Sequence, residues 1–335
     1  IAETSLTIDG IRVVVDSGLQ RLPRFDPASG MTRLVTVKSS QASAEQRRGR
    51  AGRLELGVCS RLWPENEQRA RPPFTAPEIA EADLAPLTLE LARWGVSDPA
   101  TLPWLDVPDT AKIDQARDVL RGLEAIDGEK RITAMGTAMA GLPVHPRLAH
   151  MMLRGAQLGL DPVACGLAAL LSDRDFMRGR GADLRLRIDA IQKGHAPKMI
   201  GAAAKQLSRR LATVAKQAGL GKSDPAQVDR ADEVGLLLAF AYPDRIGERR
   251  KGADARYRLS GGRGGVLPNE DSLANEPYIA VAELDGQARE AKIYLAAPVA
   301  RATLETHFTD QISEGTEVFW DSQSDAVAAR WQRRI

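Results

Sequence analysis

The octapeptide QRRGRAGR at positions 46–53 sets four arginines on a frame of two glycines. Arg50 and Arg53 are three residues apart, so they share one face if a helix continues through Gly49 and Gly52. A guanidinium group keeps its proton at physiological pH and matches phosphate oxygens with paired N–H donors. The spacing therefore indicates a site that meets a triphosphate, with Arg50 and Arg53 stabilising charge on a transferring phosphoryl group.

Gln46 extends this face by one helical turn. Its carboxamide could orient a water molecule or contact a terminal phosphate, and the two glycines would let the backbone approach a ligand closely. A second interpretation stays open on the motif alone, because short basic motifs also occur on solvated helices and on patches that bind phosphate backbones.

The opening segment IAETSLTIDG is unusually polar for the entry to a buried strand. It carries three hydroxyl residues and one carboxylate, which are Thr4, Ser5, Thr7 and Asp9. Such groups at strand ends can contact phosphate, sugar or magnesium-bound water. The alternative is a capped turn.

Short β-rich runs and a helix must position these residues. The runs IRVVVDSG, TRLVTVKS and GVCSRLW predict strands, and the continuous apolar stretch 13–15 predicts a strand buried on both faces of a parallel sheet. Turn residues in FDPASGM predict a β-hairpin over 18–37. Ser43 with Gln46 three positions later fits a capping box, which places the arginines on the first turns of a helix.

The rest of the chain is predicted to be helical and then β-rich. Proline and charge after residue 64 indicate a connector. Apolar residues recur at helical spacing over 83–95 and 111–127, and a turn and a short strand follow. This order predicts a winged helix with Trp94 in its core. Residues 141–245 again show helical spacing. From 246 onward, glycines, short strand-like runs and few helix signals predict a small antiparallel β domain or barrel.

Bulk composition limits the function classes. A chain of 335 residues that is 43% hydrophobic predicts more than one domain. Cys59 and Cys165 lie far apart and the histidines show no ligand spacing with them, so no metal site is predicted. Cysteine usage is typical of reduced thiols in a cytoplasmic protein. No apolar run approaches the roughly 20 residues that span a bilayer, so no membrane partner is predicted.

A net charge of +2 is too small to identify a nucleic-acid binder, so the argument rests on local clusters. RDFMRGRGADLRLR places Arg178 and Arg180 beside glycines, and DRIGERRKGADARYR contains Arg249 and Arg250. These four arginines are candidates for phosphate contact. A solvated linker is an equal alternative for the second cluster because acidic residues are interspersed. Aromatic residues make up only 4%, which predicts few base-stacking platforms and mainly backbone contact.

The segments IAETSLTIDGI, VVVDSG and SSQASAEQRRGRAGR resemble, in order and spacing, the fifth and sixth motifs of DEAH-box ATP-dependent RNA helicases. LAALLSDRD, AYPDRI and AKIYLAAPV resemble the bacterial HrpB branch of that family. The resemblance covers essentially the whole chain. It implies a multidomain fold, α/β then mainly α then β, with these parts: a partial second RecA-like domain (1–63), a connector and winged helix (64–140), a helical ratchet-like domain (141–245) and an OB-like β domain (246–335).

The resemblance also implies roles for particular residues. Arg50 and Arg53 would be arginine fingers that reach ATP and Mg²⁺ held mainly by a preceding RecA-like domain, with Gln46 at the γ-phosphate or attacking water and Gly49 beside them. Thr7 and Asp9 would report the nucleotide state, and Thr4 and Ser5 would couple that state to the backbone of single-stranded RNA. The hairpin would help to separate strands during 3′ to 5′ translocation.

The chain departs from the family pattern in one respect. A phosphate-binding GxxxxGKT loop and a DExH magnesium motif are absent from the sequence, so we expect a carboxy-terminal part of a longer helicase that by itself neither hydrolyses ATP nor unwinds RNA. The rival hypothesis is a non-catalytic winged-helix module that binds nucleic acid or a partner. A regulatory scaffold with a decayed helicase surface is a third.

Overall fold

The computed structural model describes residues 10–26, 31–52, 55–219, 221, 228–252, 254–285, 290–321 and 326–334. The chain divides into two compact units. One comprises Ile1–Leu84 with Pro99–Ile113, and the other Ala85–Asp98 with Asp114–Ile335. The finer division into four domains stays a prediction.

The first unit is built from short strands and helices. In chain order these are β1 (Val13–Asp16), β2 (Leu19–Asp26), β3 (Met31–Lys38), α1 (Gln41–Ala51), β4 (Val58–Arg61), α2 (Glu65–Ala70) and α3 (Glu78–Glu81). β1 pairs with β4 in parallel, with Val13 opposite Val58. β2 pairs with β3 in antiparallel register from Leu19 opposite Lys38 onward. This hairpin covers nearly the residues for which turn chemistry predicts one, although its tip at 27–30 lies outside the described residues.

The prediction that β1 is buried on both faces is wrong for the described part of the chain. Val13 and Val15 are 65% and 63% exposed, while Asp16 is buried. The physical reason is the size of the sheet. The described residues pair β1 with β4 alone, and α1 packs on one face of this pair. The opposite face, with Val13, Val15 and Val58, is therefore apolar and accessible.

Helix α1 begins earlier than the capping-box pattern predicts. Its N-cap is Ser40, whose Oγ accepts a hydrogen bond from the Ser43 N–H at 3.1 Å. Ser43 therefore lies inside the first turn, and its hydroxyl donates instead to the Gln20 side chain at 3.3 Å. The prediction failed because SSQAS offers several hydroxyls that can cap, and burial of Ser39 and Ser40 decides among them. Arg47, Arg48 and Arg50 consequently lie in the second and third turns.

The remaining elements are helices followed by strands. In chain order they are α4 (Ala85–Arg93), α5 (Thr110–Gly122), α6 (Ala134–Ala140), α7 (Pro146–Gln157), α8 (Asp161–Leu171), α9 (Leu184–Gln192), α10 (Lys198–Gln217), α11 (Glu233–Ala241), β5 (Ile246–Arg249), β6 (Arg256–Leu259), β7 (Gly264–Val266), β8 (Tyr278–Leu284), β9 (Glu290–Pro298), α12 (Arg301–His307), β10 (Ser313–Asp321) and β11 (Ala326–Arg334).

The core of the second unit lies around α7, α8 and α11. Every residue of α11 from Val234 to Ala241 is buried, as expected for a helix that is apolar all round. The predicted helical stripe at Leu207, Leu211 and Val214 is confirmed, because all three side chains are buried in this core. Trp94 was placed wrongly by the sequence argument. It follows the end of α4 and is 73% exposed.

The β-rich region forms a closed barrel with the strand order β5, β6, β7, β9, β8. Four of its five pairings are antiparallel, whereas β7 and β9 pair in parallel. The prediction of a small antiparallel β domain or barrel is confirmed except for this one pairing, and a closed ring with an odd number of strands must contain a parallel pair. Gly235 lets α11 approach the barrel, since a Cβ at this position would overlap the Pro298 carbonyl.

None of the helices in the described ranges is long and apolar enough to cross a membrane.

A buried histidine makes the stability of the second unit depend on pH. Burial lowers the pKa of His150 to about 4, although its hydrogen bond to the Phe240 carbonyl opposes the shift. The carbonyl can only accept, so Nδ1 donates to it at 2.8 Å, and Nε2 accepts from Arg154 Nε at 3.4 Å. The folded state thus holds this ring neutral at pH values where the unfolded chain protonates it.

We expect the free energy of unfolding to fall as pH decreases from about 6.5 to about 4, by up to about 3 kcal/mol from this group. His150→Gln should flatten that slope in urea titrations at several pH values. His195→Gln, at an exposed position, is the matched control and should keep it. An unchanged slope in the His150 variant would contradict the assignment.

Candidate functional site

One face of α1 carries the residues for which phosphate contact is predicted. Gln46 is exposed and Arg50 is half-buried, and their spacing of four residues places them on the same face. Gly49 lies beside them, and a Cβ there would meet no described atom within 4 Å. Glycine inside a helix costs about 1 kcal/mol relative to alanine. Packing in the described part of the chain does not explain this cost, because the space beside Gly49 is open.

The amino end of α1 is fixed by the segment that follows α2. The Gln41 N–H donates to the Pro72 carbonyl at 2.9 Å, and the Ala42 N–H donates to the Pro73 carbonyl at 3.0 Å. With the Ser40 cap, these bonds satisfy donors that have no partner within the helix. At the other end, Gly57 lies so close that a Cβ there would overlap the Ala51 carbonyl. Both ends of α1 are therefore constrained.

The four arginines of the motif do not share one environment. Arg47 Nη1 donates to Asp16 Oδ1 at 2.9 Å and to the Leu19 carbonyl at 3.0 Å. The side chains of Arg47 and Asp16 are only 13% and 1% exposed. The same carboxylate oxygen accepts the Gly18 N–H at 2.8 Å. Arg47 therefore binds the body of its own unit.

Arg48 points away from this pair. Its guanidinium lies 2.7 Å from the Glu45 carboxylate, which also binds Arg61. The hydrogen bond from Arg61, with the positive charges of Arg61 and Arg48, holds the pKa of Glu45 below its ordinary value although partial burial opposes this. Two of the motif's arginines thus have carboxylate partners within the unit, and Arg50 lies on the same helix face as Gln46.

Several predicted site residues lie outside the described part of the chain. These are Thr4, Ser5, Thr7, Asp9 and Arg53. Their assignments stay predictions.

A cavity of about 680 Å³ in the second unit carries one of the predicted RNA-contacting arginines. Arg178 and Gly179 line it from the loop before α9, and Lys292 and Tyr294 line it from β9. Arg178 and its neighbour Arg180 are exposed. The positive charge of Arg178 also helps to lower the pKa of Asp175, whose carboxylate lines the same cavity.

The walls of this cavity are held by buried polar contacts. Arg187, one of the largest fully buried side chains, donates to Asp175 at 3.0 Å. Burial would raise the pKa of the Asp175 carboxyl, but hydrogen bonds from Arg187 and the Met177 N–H lower it overall. Asp271 accepts the Ala182 N–H at 2.9 Å, which ties the loop to the barrel.

Tyr294 and Lys292 were missed by the sequence argument. Tyr294 is 45% exposed, and the Lys292 ammonium lies 5.7 Å from its ring centroid. The signal was present in AKIYLAAPV, where alternation along a strand puts both residues on one face. A low average content of aromatic residues does not show where the individual aromatic side chains lie.

Arg249 and Arg250 are engaged within the barrel. Arg249 Nε donates to the Ala274 carbonyl at 2.8 Å, and Arg250 lies 3.1 Å from the Glu290 carboxylate. Neither arginine lines the cavity at Arg178. Two of the interspersed acidic residues are ion-pair partners of other arginines in this cluster, since Glu248 lies 3.0 Å from Arg258 and Asp254 lies 3.3 Å from Arg256.

With this geometry established, comparison with known proteins defines the class. No family model matches the chain. The chain is nevertheless similar to ATP-dependent RNA helicases, which align with its whole length or with half of it. One is the human "probable ATP-dependent RNA helicase DHX34", which is 42% identical over 179 residues, 53% of this chain and 16% of DHX34.

Similarity over the whole chain is to HrpB. The "ATP-dependent RNA helicase HrpB" of Escherichia coli K12 is 37% identical over 335 residues, 99% of this chain and 39% of HrpB. A crystal structure of the E. coli DExH-box NTPase HrpB matches with a TM-score of 0.80 and 34% identity, covering 99% of this chain and 39% of that one. The chain therefore spans about two fifths of the length of these relatives.

The buried Arg47–Asp16 pair should contribute strongly to stability. Asp16→Ala would leave a guanidinium buried without its carboxylate, which typically costs 3 to 5 kcal/mol. We expect about 3 kcal/mol in urea unfolding, at the lower end, because Asp16 Oδ2 has no partner among the described residues. Arg48→Ala, on the exposed side of the same helix, should change stability by less than about 0.5 kcal/mol. Equal effects of the two substitutions would refute the distinction.

Proposed function

We propose that this chain is the part of an ATP-dependent RNA helicase that presents Gln46, Gly49 and Arg50 to ATP bound largely by another part of the protein. The observation that carries the proposal is the face of α1. It is fixed at both helix ends and through Arg47, and it displays a carboxamide and a guanidinium around an unfilled glycine. Helicase names among the relatives support the reaction class.

The donor set of this face suits a triphosphate. Arg50 would stabilise negative charge on the transferring phosphoryl group, and Gln46 would orient the attacking water or contact the γ-phosphate. Gly49 lets the backbone come close to the phosphates. Arg53 would act beside Arg50, and Thr7 and Asp9 would respond to the nucleotide state. Mg²⁺ would neutralise phosphate charge when bound, held mainly by carboxylates outside this chain.

The catalytic proposal predicts a specific loss on Arg50→Ala. In the complete protein expressed from the gene, kcat for RNA-stimulated ATP hydrolysis should fall by about 10³ to 10⁵, the range measured for arginine fingers elsewhere. Arg48→Ala is the matched control on the same helix and should stay within about twofold, because its exposed ion pair faces away. Retention of more than a tenth of the wild-type kcat by Arg50→Ala would refute the assignment.

The chain by itself is proposed to be inactive as an ATPase and helicase, because it carries neither a GxxxxGKT loop nor a DExH motif. Measurable ATP turnover by purified protein of this length would overturn that part of the proposal.

RNA contact is assigned to the backbone of a single strand. Arg178 and Arg180 would bind phosphates at the cavity and Tyr294 would stack on a base, with weaker contributions from Arg249 and Arg250. Thr4 and Ser5 would contact RNA from the first unit. The strand order of the barrel supports the assignment of an OB-fold, and helices α4 to α6 are assigned to a winged helix. The complete protein is proposed to be a cytoplasmic enzyme that moves 3′ to 5′ along RNA.

Phosphate contact by Arg178 and Arg180 predicts a change in salt dependence. Replacing both by alanine should weaken RNA binding and reduce the slope of log K against log salt by about 1.4, since each contact to single-stranded nucleic acid contributes about 0.7. Arg131→Ala, whose exposed guanidinium is paired with Asp127 and Glu129, should leave the slope unchanged. Fluorescence anisotropy at several salt concentrations measures both, and equal slopes for all three proteins would argue against the contact.

A non-catalytic nucleic-acid-binding module remains the second candidate, favoured by the Arg178 cavity. This second candidate predicts that Arg50→Ala in the complete protein keeps full ATPase activity and binds RNA less tightly.

A further inference from the structure

Arg71 joins the two ends of the β2–β3 hairpin. The residue is only 4% exposed. Its Nη1 donates to the Gly18 carbonyl at 2.7 Å and to the Ser39 carbonyl at 3.0 Å. Gly18 directly precedes β2 and Ser39 directly follows β3. One guanidinium therefore holds both chain ends from which the hairpin projects.

The same short segment also holds α1. The Arg71 carbonyl accepts Nε2 of Gln41 at 2.9 Å. The next two carbonyls, of Pro72 and Pro73, accept the Gln41 and Ala42 N–H groups. The side chain of Arg71 thus binds the hairpin, while its backbone and the two following residues bind the start of the helix.

Arg47 provides a second link at a different level of the helix. It lies seven residues after the N-cap Ser40, and it donates to the carbonyl of Leu19, the first residue of β2. Asp16 accepts from both Arg47 and the Gly18 N–H. Because the two links are about two turns apart, they restrain the rotation of α1 as well as its position relative to the hairpin.

Packing leaves little freedom around Arg71. Its guanidinium carbon lies 4.1 Å from the ring centroid of Trp63. A Cβ at Gly18 would overlap both side chains, and Gly18 has a φ of 71°, which glycine adopts readily. Arg71 Nη2 binds Glu67 at 2.8 Å, and Lys38 at the end of β3 lies 3.4 Å from the same carboxylate.

We propose that Arg71 and Arg47 are positioning residues that couple the hairpin mechanically to α1, so that movement of the helix facing ATP is transmitted to the hairpin. This inference rests on the proposed function, because movement of α1 follows the nucleotide only if Gln46 and Arg50 on that helix face ATP. Neither positioning residue needs to touch ATP or RNA. Both act through the carbonyls of Gly18, Leu19 and Ser39, which form the base of the hairpin.

The coupling is tested by the number of duplexes unwound per ATP hydrolysed. In the complete protein, Arg71→Met removes the forked donor and keeps similar volume. We expect this ratio to fall at least about fivefold, the low end of coupling between sites in other proteins. A merely structural role would lower the folded fraction, which reduces both rates in proportion and leaves the ratio unchanged. An unchanged ratio would therefore overturn the proposal.

Two further variants control the experiment. Arg69→Met lies two residues away, where an exposed guanidinium pairs with Glu65, and it should keep the wild-type ratio. Arg71→Lys keeps the charge but cannot bind two carbonyls and Glu67 as a fork. It should fold and still show a reduced ratio, so the test holds even if Arg71→Met does not fold. A wild-type ratio for Arg71→Lys would contradict the proposal.

Hydrogen exchange separates the coupling from the proposed function. If the wild-type complete protein lacks RNA-stimulated ATPase, the proposed function fails, and the coupling is then judged by exchange alone. Arg71→Lys should speed exchange at the Ser39 N–H and at the Gln41 and Ala42 N–H groups together. Faster exchange in the hairpin with an unchanged helix, or no change in either, would show that they are not coupled.

Discussion

The first unit depends on one buried ion pair, in which Arg47 of α1 meets Asp16 at the end of β1. With both side chains largely removed from water, the pair is stable only in a narrow geometry, because its charges must be satisfied by each other and by neighbouring backbone groups. That requirement sets the rotation of the helix. Because Arg47 faces inward, Gln46 and Arg50 lie on a different face of α1.

The same logic explains why the described arginines of the motif differ in their environments. A guanidinium is always charged, so its role is set by the acceptor that it meets. Arg47 meets a buried carboxylate, Arg48 an exposed one, and Arg71 further along the chain meets carbonyls at the base of the hairpin. Charge that is used internally is not available to a ligand. Counting basic residues therefore overstates the surface that can bind phosphate, as Arg249 and Arg250 also show.

Much of the fold followed from the sequence, and the failures have physical causes. Helical stripes such as Leu207, Leu211 and Val214 were predictable because periodicity reports burial directly. The N-cap at Ser40 was missed because three hydroxyls in SSQAS can cap the helix, and burial in the folded unit decides among them. The exposed Val13 was missed because a run of apolar residues cannot reveal how many strands flank it. At the candidate site, the spacing of Gln46, Gly49 and Arg50 was readable from the sequence, and strand alternation already places Lys292 and Tyr294 on one face. The partner of Arg47 was not readable, because Asp16 lies 31 residues away in the sequence.

The close approach of α11 to the barrel has a consequence for how such proteins can diversify. A side chain at Gly235 would collide with main-chain atoms at the end of β9, which cannot swing aside as a flexible side chain would. Barrels exchanged between relatives, by recombination or in the laboratory, will therefore seat correctly only on a helix that has glycine at the corresponding place. A helix with a larger residue at this position would need a shift of the barrel backbone.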